Sequence, residues 1–434
     1  MAAARLCVPG SLVIISTAKR STNVLNAPPP VGGWQQVVLH RRKPEETLKR
    51  LVGQLDHYAI TRLANITGLD RIGIPVWMAV RPNSRSLSVS QGKGFTHEEA
   101  KAGAICEAIE TWYAEQFEGP LIFSRYEDLK RKAQAADPAA LPQPRDSFYR
   151  PFLTIPWVEA EELISGDKIY VPYELVHSDA TTPRPPASGN FIVSTNGLAS
   201  GTSLTEATIA AVCEVIERDS HALWWAGSAR SRNNTRVVVN SVNDAACQWL
   251  LERFEDADNE IMIWNMTSDL GVPAFRVLIY DRTSDPFFAP FSAAYGVASH
   301  PTPAVALGKA LLEAAQSRLT RIAGSREDMT RATYQAVQSR KSLSRYAALS
   351  GQRQKVRFDS VVPLDVNTAE HALEVLLERL RSAGLDRVAR IQLTPSDSAL
   401  TVVRIIIPGL EGPSSSPSYV PGKRAQARRS SRSQ

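Results

Sequence analysis

Three stretches of this chain each end in two acceptor side chains one helical turn apart. Together they present five carboxylates and one amide: Glu107 and Glu110, Glu214 and Glu217, Glu313 and Gln316. An all-oxygen set of this kind suits a hard cation such as Mg2+ or Ca2+. Zinc would require His or Cys, and the chain has neither an HExxH nor a CxxC motif. Basic residues stand beside the acids: Lys93, Arg218 directly after Glu217, and Arg318 two places beyond Gln316. Carboxylates with metals, interleaved with Arg and Lys, form a site suited to a polyphosphate. No Walker sequence is present, because "GKG" at 92–94 lacks the spacing and the hydroxyl residue. Any nucleotide is therefore held by a different device.

The acceptor pairs close one pattern written three times: "GFTHEEAKAGAICEAIE" from Gly94, "GTSLTEATIAAVCEVIE" from Gly201 and "HPTPAVALGKALLEAAQ" from His300. Alanines recur in register (Ala100 and Ala104, Ala207 and Ala211, Ala306 and Ala310) at a spacing that gives each helix a face of small residues. Thr96, Ser203 and Thr302 occupy N-cap positions, and Glu99 and Glu206 follow three residues later as in a capping box. Strand-like runs precede the helices at 86–90, 191–194 and 287–299. A single Glu pair at this spacing is ordinarily a solvated helix face. Here the acids lie within apolar sequence, "AICEAIETW", "AAVCEVIERD" and "ALLEAAQSR", where a carboxylate is costly unless paired or metal-bound. Common descent of the repeats is the competing explanation for the shared placement.

The segments "SVSQGKG", "NGLASGTSLTEATIAAVCEVIERD" and "LGKALLEAAQSRLTRIAGSREDM" closely resemble the YcaO domain, over about residues 40–411. The resemblance implies a mixed α/β (α+β) fold: one domain of three related strand–loop–helix lobes around a central nucleotide site. It implies an ATP- and Mg2+-dependent enzyme acting on a peptide backbone amide. A nucleophile adds to the carbonyl, ATP phosphorylates the oxygen of the adduct, and phosphate leaves to give an azoline or a thioamide. Residue by residue, the resemblance nominates Glu107, Glu110, Glu214 and Glu217 as Mg2+ ligands. It nominates Lys93, Glu206, Arg218, Gln316 and Arg318 for ATP, with Thr47 of "PEETLKRL" as a nucleotide-contacting hydroxyl; no residue is assigned to the chemical step itself. Two departures stand in the first motif, where Gly103 and Thr111 replace the family's Ser and Arg, and Thr202 replaces a loop Asn.

The stretch "ITRLANITGLDRIGIPVWMAVRPNSRSLSVSQGKG", with "PGLEG" and "YVPGKRA", resembles YcaO proteins that work beside a TfuA partner, which implies thioamide formation from a sulfur donor. A Pro-rich terminus typical of the azoline-forming branch is absent. With some forty residues ahead of the match, peptide recognition is expected from a separate protein. Three readings compete: an azoline-forming cyclodehydratase, a non-catalytic nucleotide- or peptide-binding scaffold, and a metal-dependent hydrolase.

Composition agrees with a large soluble core. The net charge of +6 resides at the ends, since residues 412–434 carry five basic and no acidic side chains. Neither nucleic acid nor a membrane is expected as a partner, the compartment is the cytoplasm, and a homodimer is allowed. Residues 1–40 read as a flexible lead, 41–411 as the catalytic domain, and 412–434 as a disordered basic tail. Cys106, Cys213 and Cys247 read as packed thiols on helices. His97 reads as a surface group and Trp224 and Trp225 as packing, while Asp219 and Asp328 are further acids near the metal positions. Strands are predicted at 260–266, 273–281 and 400–409, and amphipathic helices over "VNDAACQWLLERFEDA" and "TAEHALEVLLERLRSAG".

Overall fold

A computed structural model describes residues 42–282, 293–338, 344, 346 and 348–430. The N-terminal 1–40 segment and Cys7 lie outside the described residues. The three repeats form three long helices, His97–Glu115, Leu204–Ala226 and Pro303–Ala323, hereafter the first, second and third lobe helices. The first two begin as predicted: Thr96 and Ser203 accept the N–H groups of Glu99 and Glu206, each at 3.2 Å. Their carboxylates reach back one residue further than in a capping box, to the N–H of Phe95 (2.7 Å) and of Thr202 (2.8 Å). Thr302 makes no side-chain cap. Pro303 supplies the first helical residue instead, and His300 Nδ1 accepts the Thr302 N–H at 3.0 Å.

Lobes one and three share a plan. Antiparallel strands Arg62–Asn65, Val76–Val80 and Val89–Lys93 precede the first helix, and Asn259–Asn265, Ala274–Asp281 and Ala293–Ser299 precede the third. The second lobe departs from it. The run at 191–194 is not a strand; the strand before the second helix is Leu198–Gly201, and its partner is Thr401–Ile406 near the other end of the chain. It forms one edge of a seven-stranded sheet that also holds Leu121–Ser124, Gln134–Ala135, Ile155–Glu162, Lys168–Pro172 and Ala389–Gln392. The predicted helices appear as Ala245–Asp256 and Ala369–Ser382. No helix among the described residues is long and apolar enough to cross a membrane.

The repeated alanines do what their size allows. All six are fully buried, and each lobe brings a strand glycine against helix backbone. A Cβ on Gly92 would overlap Ala100 O and Ala104 N, one on Gly201 would meet Ala207 N, and one on Gly296 would overlap Ala310 O. Gly103 belongs to the same contact: a Cβ there would lie 3.3 Å from the Cα of Gly92. A side chain at 103 would need the strand to give by a few tenths of an ångström. The lobes are joined by core, since Leu198 and Val402 of lobe two cluster with Ala104, Ile105 and Ala108 of the first helix.

The tail expectation is corrected from residue 412 to 430. This segment crosses back to the second helix and ends in the helix Lys423–Ser430, with Ala425 buried. Its basic residues are not all solvated: Arg424 pairs with Asp219 and Asp269, at 3.0 and 2.6 Å. A count of charge in sequence does not register acids contributed from elsewhere in the fold. If glycine holds the strand–helix spacing, Gly92→Ala will cost about 2 kcal/mol or more in urea unfolding. Gly53→Ala, where a Cβ meets nothing within 4 Å, serves as the neutral control.

Candidate nucleotide and metal site

At 100° per residue, acceptors three apart share a helix face, and the three lobe helices turn these faces to one cleft. The charges of the pairs act on one another across lobes. Glu107 lies within electrostatic reach of Glu313, Glu110 of Glu214, and Glu217 of both Glu214 and Glu313. Protein donors keep them apart. Glu107 accepts the backbone N–H of Gln91, and Glu110 accepts both the N–H (2.8 Å) and Oγ (2.6 Å) of Ser200. Arg218 contacts Glu214 at 3.3 Å and Glu217 at 3.2 Å. Lys93 donates to Gln316 Oε1 at 2.8 Å and lies 3.9 Å from Glu313, while Gln316 Nε2 reaches Gln91 O at 3.0 Å. Among the described residues, no three His, Cys, Asp or Glu side chains are grouped closely enough to hold a metal ion as they stand. The cleft gathers the acids without bringing them to ligand distance.

Electrostatics show what this gathering costs. Burial, reinforced by Glu107 and Glu214, pushes Glu110 up to about 8 despite its bonds to Ser200. Burial, with Glu313 and Glu214 near, pushes Glu217 up to about 8 even beside Arg218. Burial also raises Glu107 and Glu214, though Glu107 opens onto the solvent in the cleft. Arg218 moves the other way: burial opposes its charge, but Glu217, Glu214 and Glu313 hold it above its ordinary value. Glu217 Oε1 is buried and, despite Arg218 nearby, has no aligned hydrogen-bond donor. A buried carboxylate oxygen without a donor, in an oxygen-only set held apart by cations, fits a hard divalent ion and its phosphate ligands.

Two nominated residues are placed elsewhere. Arg318 turns away from the cleft to Asp281 (3.2 Å) and Asp70 (3.4 Å). Its position two residues beyond Gln316 rotates it by roughly 200° to the opposite face. Thr47, on the helix Pro44–Leu51, bonds back to Lys43 O at 3.3 Å, a local bond open to any helical threonine. Glu206 adjoins the cleft, where its charge acts on Lys309, and it also accepts the N–H and Oγ1 of Thr202. Thr111 is buried and returns its hydroxyl to Glu107 O, so it supplies no charge.

The cation that lobe one lacks at Thr111 comes from another lobe. Arg326, in the loop after the third helix, lies close enough to Glu107 for each charge to stabilise the other. Lys309, one turn before Glu313, is the clearest residue the sequence reading passed over. It sits among Glu206, Glu217 and Lys93, and burial lowers its pKa, with Lys93 adding to the shift. Its i, i+4 relation to Glu313 was the available signal. Arg404, on the strand paired with Leu198–Gly201, also faces Glu214; burial brings it down to about 10.

This arrangement matches a known pattern over most of the chain: the family described as YcaO cyclodehydratase, ATP- and Mg2+-binding, matches residues 91–411. The chain belongs to the YcaO family. An uncharacterized protein in the tfuA 3′ region of Rhizobium leguminosarum bv. trifolii is 34% identical over 85% of this chain and 87% of its own length. An uncharacterized protein of Methanothermobacter thermautotrophicus is also 34% identical, over 85% of this chain and 94% of its own. Among solved structures, the YcaO of Methanopyrus kandleri bound with AMPPCP and Mg2+ superposes with a TM-score of 0.67. It is 23% identical, covering 86% of this chain and 92% of that one. A heterocyclase in complex with substrate and cofactor gives 0.68 at 22% identity, covering 86% of this chain and 53% of that one. The YcaO fold expected from the three motifs is therefore present, and ATP and Mg2+ are the ligands of the family.

The raised carboxylates carry a pH signature in metal-free protein. Stability contributed by Glu110 and Glu217 is present in full below the ordinary value near 4.5 and is lost as pH rises through about 8. Comparing melting temperatures of wild type and Glu110→Gln with Glu217→Gln from pH 5 to 9 will show the double variant gaining steadily on the wild type.

Proposed function

We propose that this protein uses ATP and Mg2+ to convert a backbone amide of a peptide or protein to a thioamide: a sulfur donor adds to the carbonyl carbon, and ATP phosphorylates the oxygen of that adduct. The observation that carries the reading is the convergence of five carboxylates from three helices, with Lys93, Arg218 and Lys309 between them. An amide oxygen leaves poorly, whereas phosphate leaves readily. Transfer of the γ-phosphoryl group to the adduct's oxygen releases ADP. Loss of phosphate then lets carbon keep the sulfur, once the sulfur's proton has gone to solvent or base.

Glu107, Glu110, Glu214 and Glu217, with Glu313, are the residues that hold Mg2+ in this reading. Bound there, the ion supplies charge neutralisation to the phosphates. Arg218, Lys93 and Lys309 stand where they neutralise phosphate oxygens; Arg218 is half-buried among acids that keep it charged, so it is a permanent cation. Gln316 ties the third helix to the edge of strand Val89–Lys93 and so fixes Lys93. Arg318 and Thr47 have no role in this reading.

One observation favours the thioamide branch: one of the 34% identical relatives is named for the tfuA region. A TfuA-like protein is the proposed partner, substrate recognition is assigned to a separate protein, and the cytoplasm is the proposed compartment. The azoline alternative rests on the family's description as a cyclodehydratase.

Calorimetry tests the site, and peptide mass tests the product. Wild type is expected to bind ATP far more tightly with Mg2+ than with EDTA, and Glu214→Gln with Glu217→Gln to weaken the Mg2+-dependent binding at least ~100-fold, about 3 kcal/mol. Lys309→Met is expected to weaken it ~10-fold, the scale of one charge-assisted contact. With a TfuA-like partner and sulfide, exchange of oxygen for sulfur marks a thioamide, and loss of water marks an azoline. Turnover without ATP would identify a hydrolase, and nucleotide binding without turnover a scaffold.

A further inference from the structure

The arm from 412 to 430 lies beyond the family match, which ends at Glu411, yet it is fastened to the helix that carries Glu214, Glu217 and Arg218. The fastening point is Asp219, the next residue after Arg218 and fully buried. Its Oδ1 accepts Glu411 N–H and Arg424 Nε, and its Oδ2 accepts Arg424 Nη2, all at 3.0 Å. Arg424 thus grips the carboxylate with both prongs of its fork and holds Asp269 with what remains. Glu411 is buried too. It accepts the hydroxyl of Tyr419 (2.7 Å) and the N–H groups of Gly422 and Ala425 (both 2.8 Å), which caps the arm's helix from outside.

A second contact sits one turn beyond Glu217. His221 Nε2 receives the Trp225 indole N–H at 2.9 Å, so its proton belongs on Nδ1, which faces Ser414 Oγ of the arm at 3.2 Å. On the far side, Arg145 N–H donates to Ser418 O at 3.2 Å. The arm is therefore tied at Ser414, Ser418 and Arg424. Of the residues it ties on the second helix, Asp219 directly follows Arg218 and His221 lies one turn beyond Glu217.

We propose that the C-terminal arm is a positioning part of the nucleotide site: Arg424, acting through Asp219, fixes the rotation of the second helix that aims Glu217 and Arg218 into the cleft. This rests on the reading of that cleft as an ATP–Mg2+ site. Arg424 is a positioning residue, since it touches the helix at Asp219 and not the cleft. A one-pronged or absent grip leaves the helix folded but its two site residues less well aimed.

The test compares ATP affinity with Mg2+ and with EDTA, by calorimetry, for the full chain, Arg424→Gln and Arg424→Lys, each checked for folding by circular dichroism. General loosening lowers both affinities alike, whereas misaimed Glu217 lowers their ratio. The expected result is a ratio reduced ~5–20-fold in Arg424→Gln and by less in Arg424→Lys, which keeps the charge but not the fork. Should Arg424→Gln not fold, Arg424→Lys carries the comparison alone, with a ratio reduced ~2–5-fold expected. An unchanged ratio in the folded variants, with trypsin showing the arm released, overturns the proposal and leaves the site reading intact. A wild type without Mg2+-dependent ATP binding overturns both.

Discussion

Everything in this fold bends to one electrostatic constraint: acids that repel one another and resent burial must share a cleft. Burial is the largest cause raising each of Glu107, Glu110, Glu214 and Glu217, and neighbouring acids add to it. The chain offsets that cost with donors drawn from different lobes. Ser200 of lobe two serves Glu110 of lobe one, Lys93 of lobe one serves Gln316 of lobe three, and Arg326 of lobe three faces Glu107. Lobe two's own Arg218 pairs with Glu214 and Glu217, but Glu110 and Gln316 depend on donors from other lobes. The lobes are held together by the charges they lend one another as well as by the cores between them.

Such lending works only on a stiff frame, and small residues provide it. Glycine in the strand and alanine in the helix bring each lobe's backbone layers closer than side chains would permit, leaving the helix little freedom to shift. Gly103, facing Gly92, belongs to the same close contact between helix and strand.

The sequence made the site helices legible because their signals are local: caps, alanine spacing and acid pairs lie within seventeen residues of each other. The second-lobe strand was misread because its pairing is not local. Leu198–Gly201 is short and carries only two buried apolar side chains, Leu198 and Ala199, and it is a strand by virtue of Thr401–Ile406 beside it. The misplaced Arg318 and the tail share a cause. In both, a basic residue was assigned by its charge and its neighbours in sequence, when Asp70, Asp281, Asp219 and Asp269 decide where it goes. Thr47 had only a position in a motif to recommend it, and helix geometry gave its hydroxyl a nearer carbonyl.

The pairing of Gly201 with Thr401 also sets an order of events during synthesis. The first and second lobe helices are translated early, but the strand that seats the second helix has no partner until nearly the whole chain has been made. Until then Ser200 has no fixed edge from which to serve Glu110, and Arg404, on the late strand, is missing from beside Glu214. A growing or truncated chain therefore carries the acids without the frame that reconciles them. On this order the acid-lined cleft is among the last features to be completed.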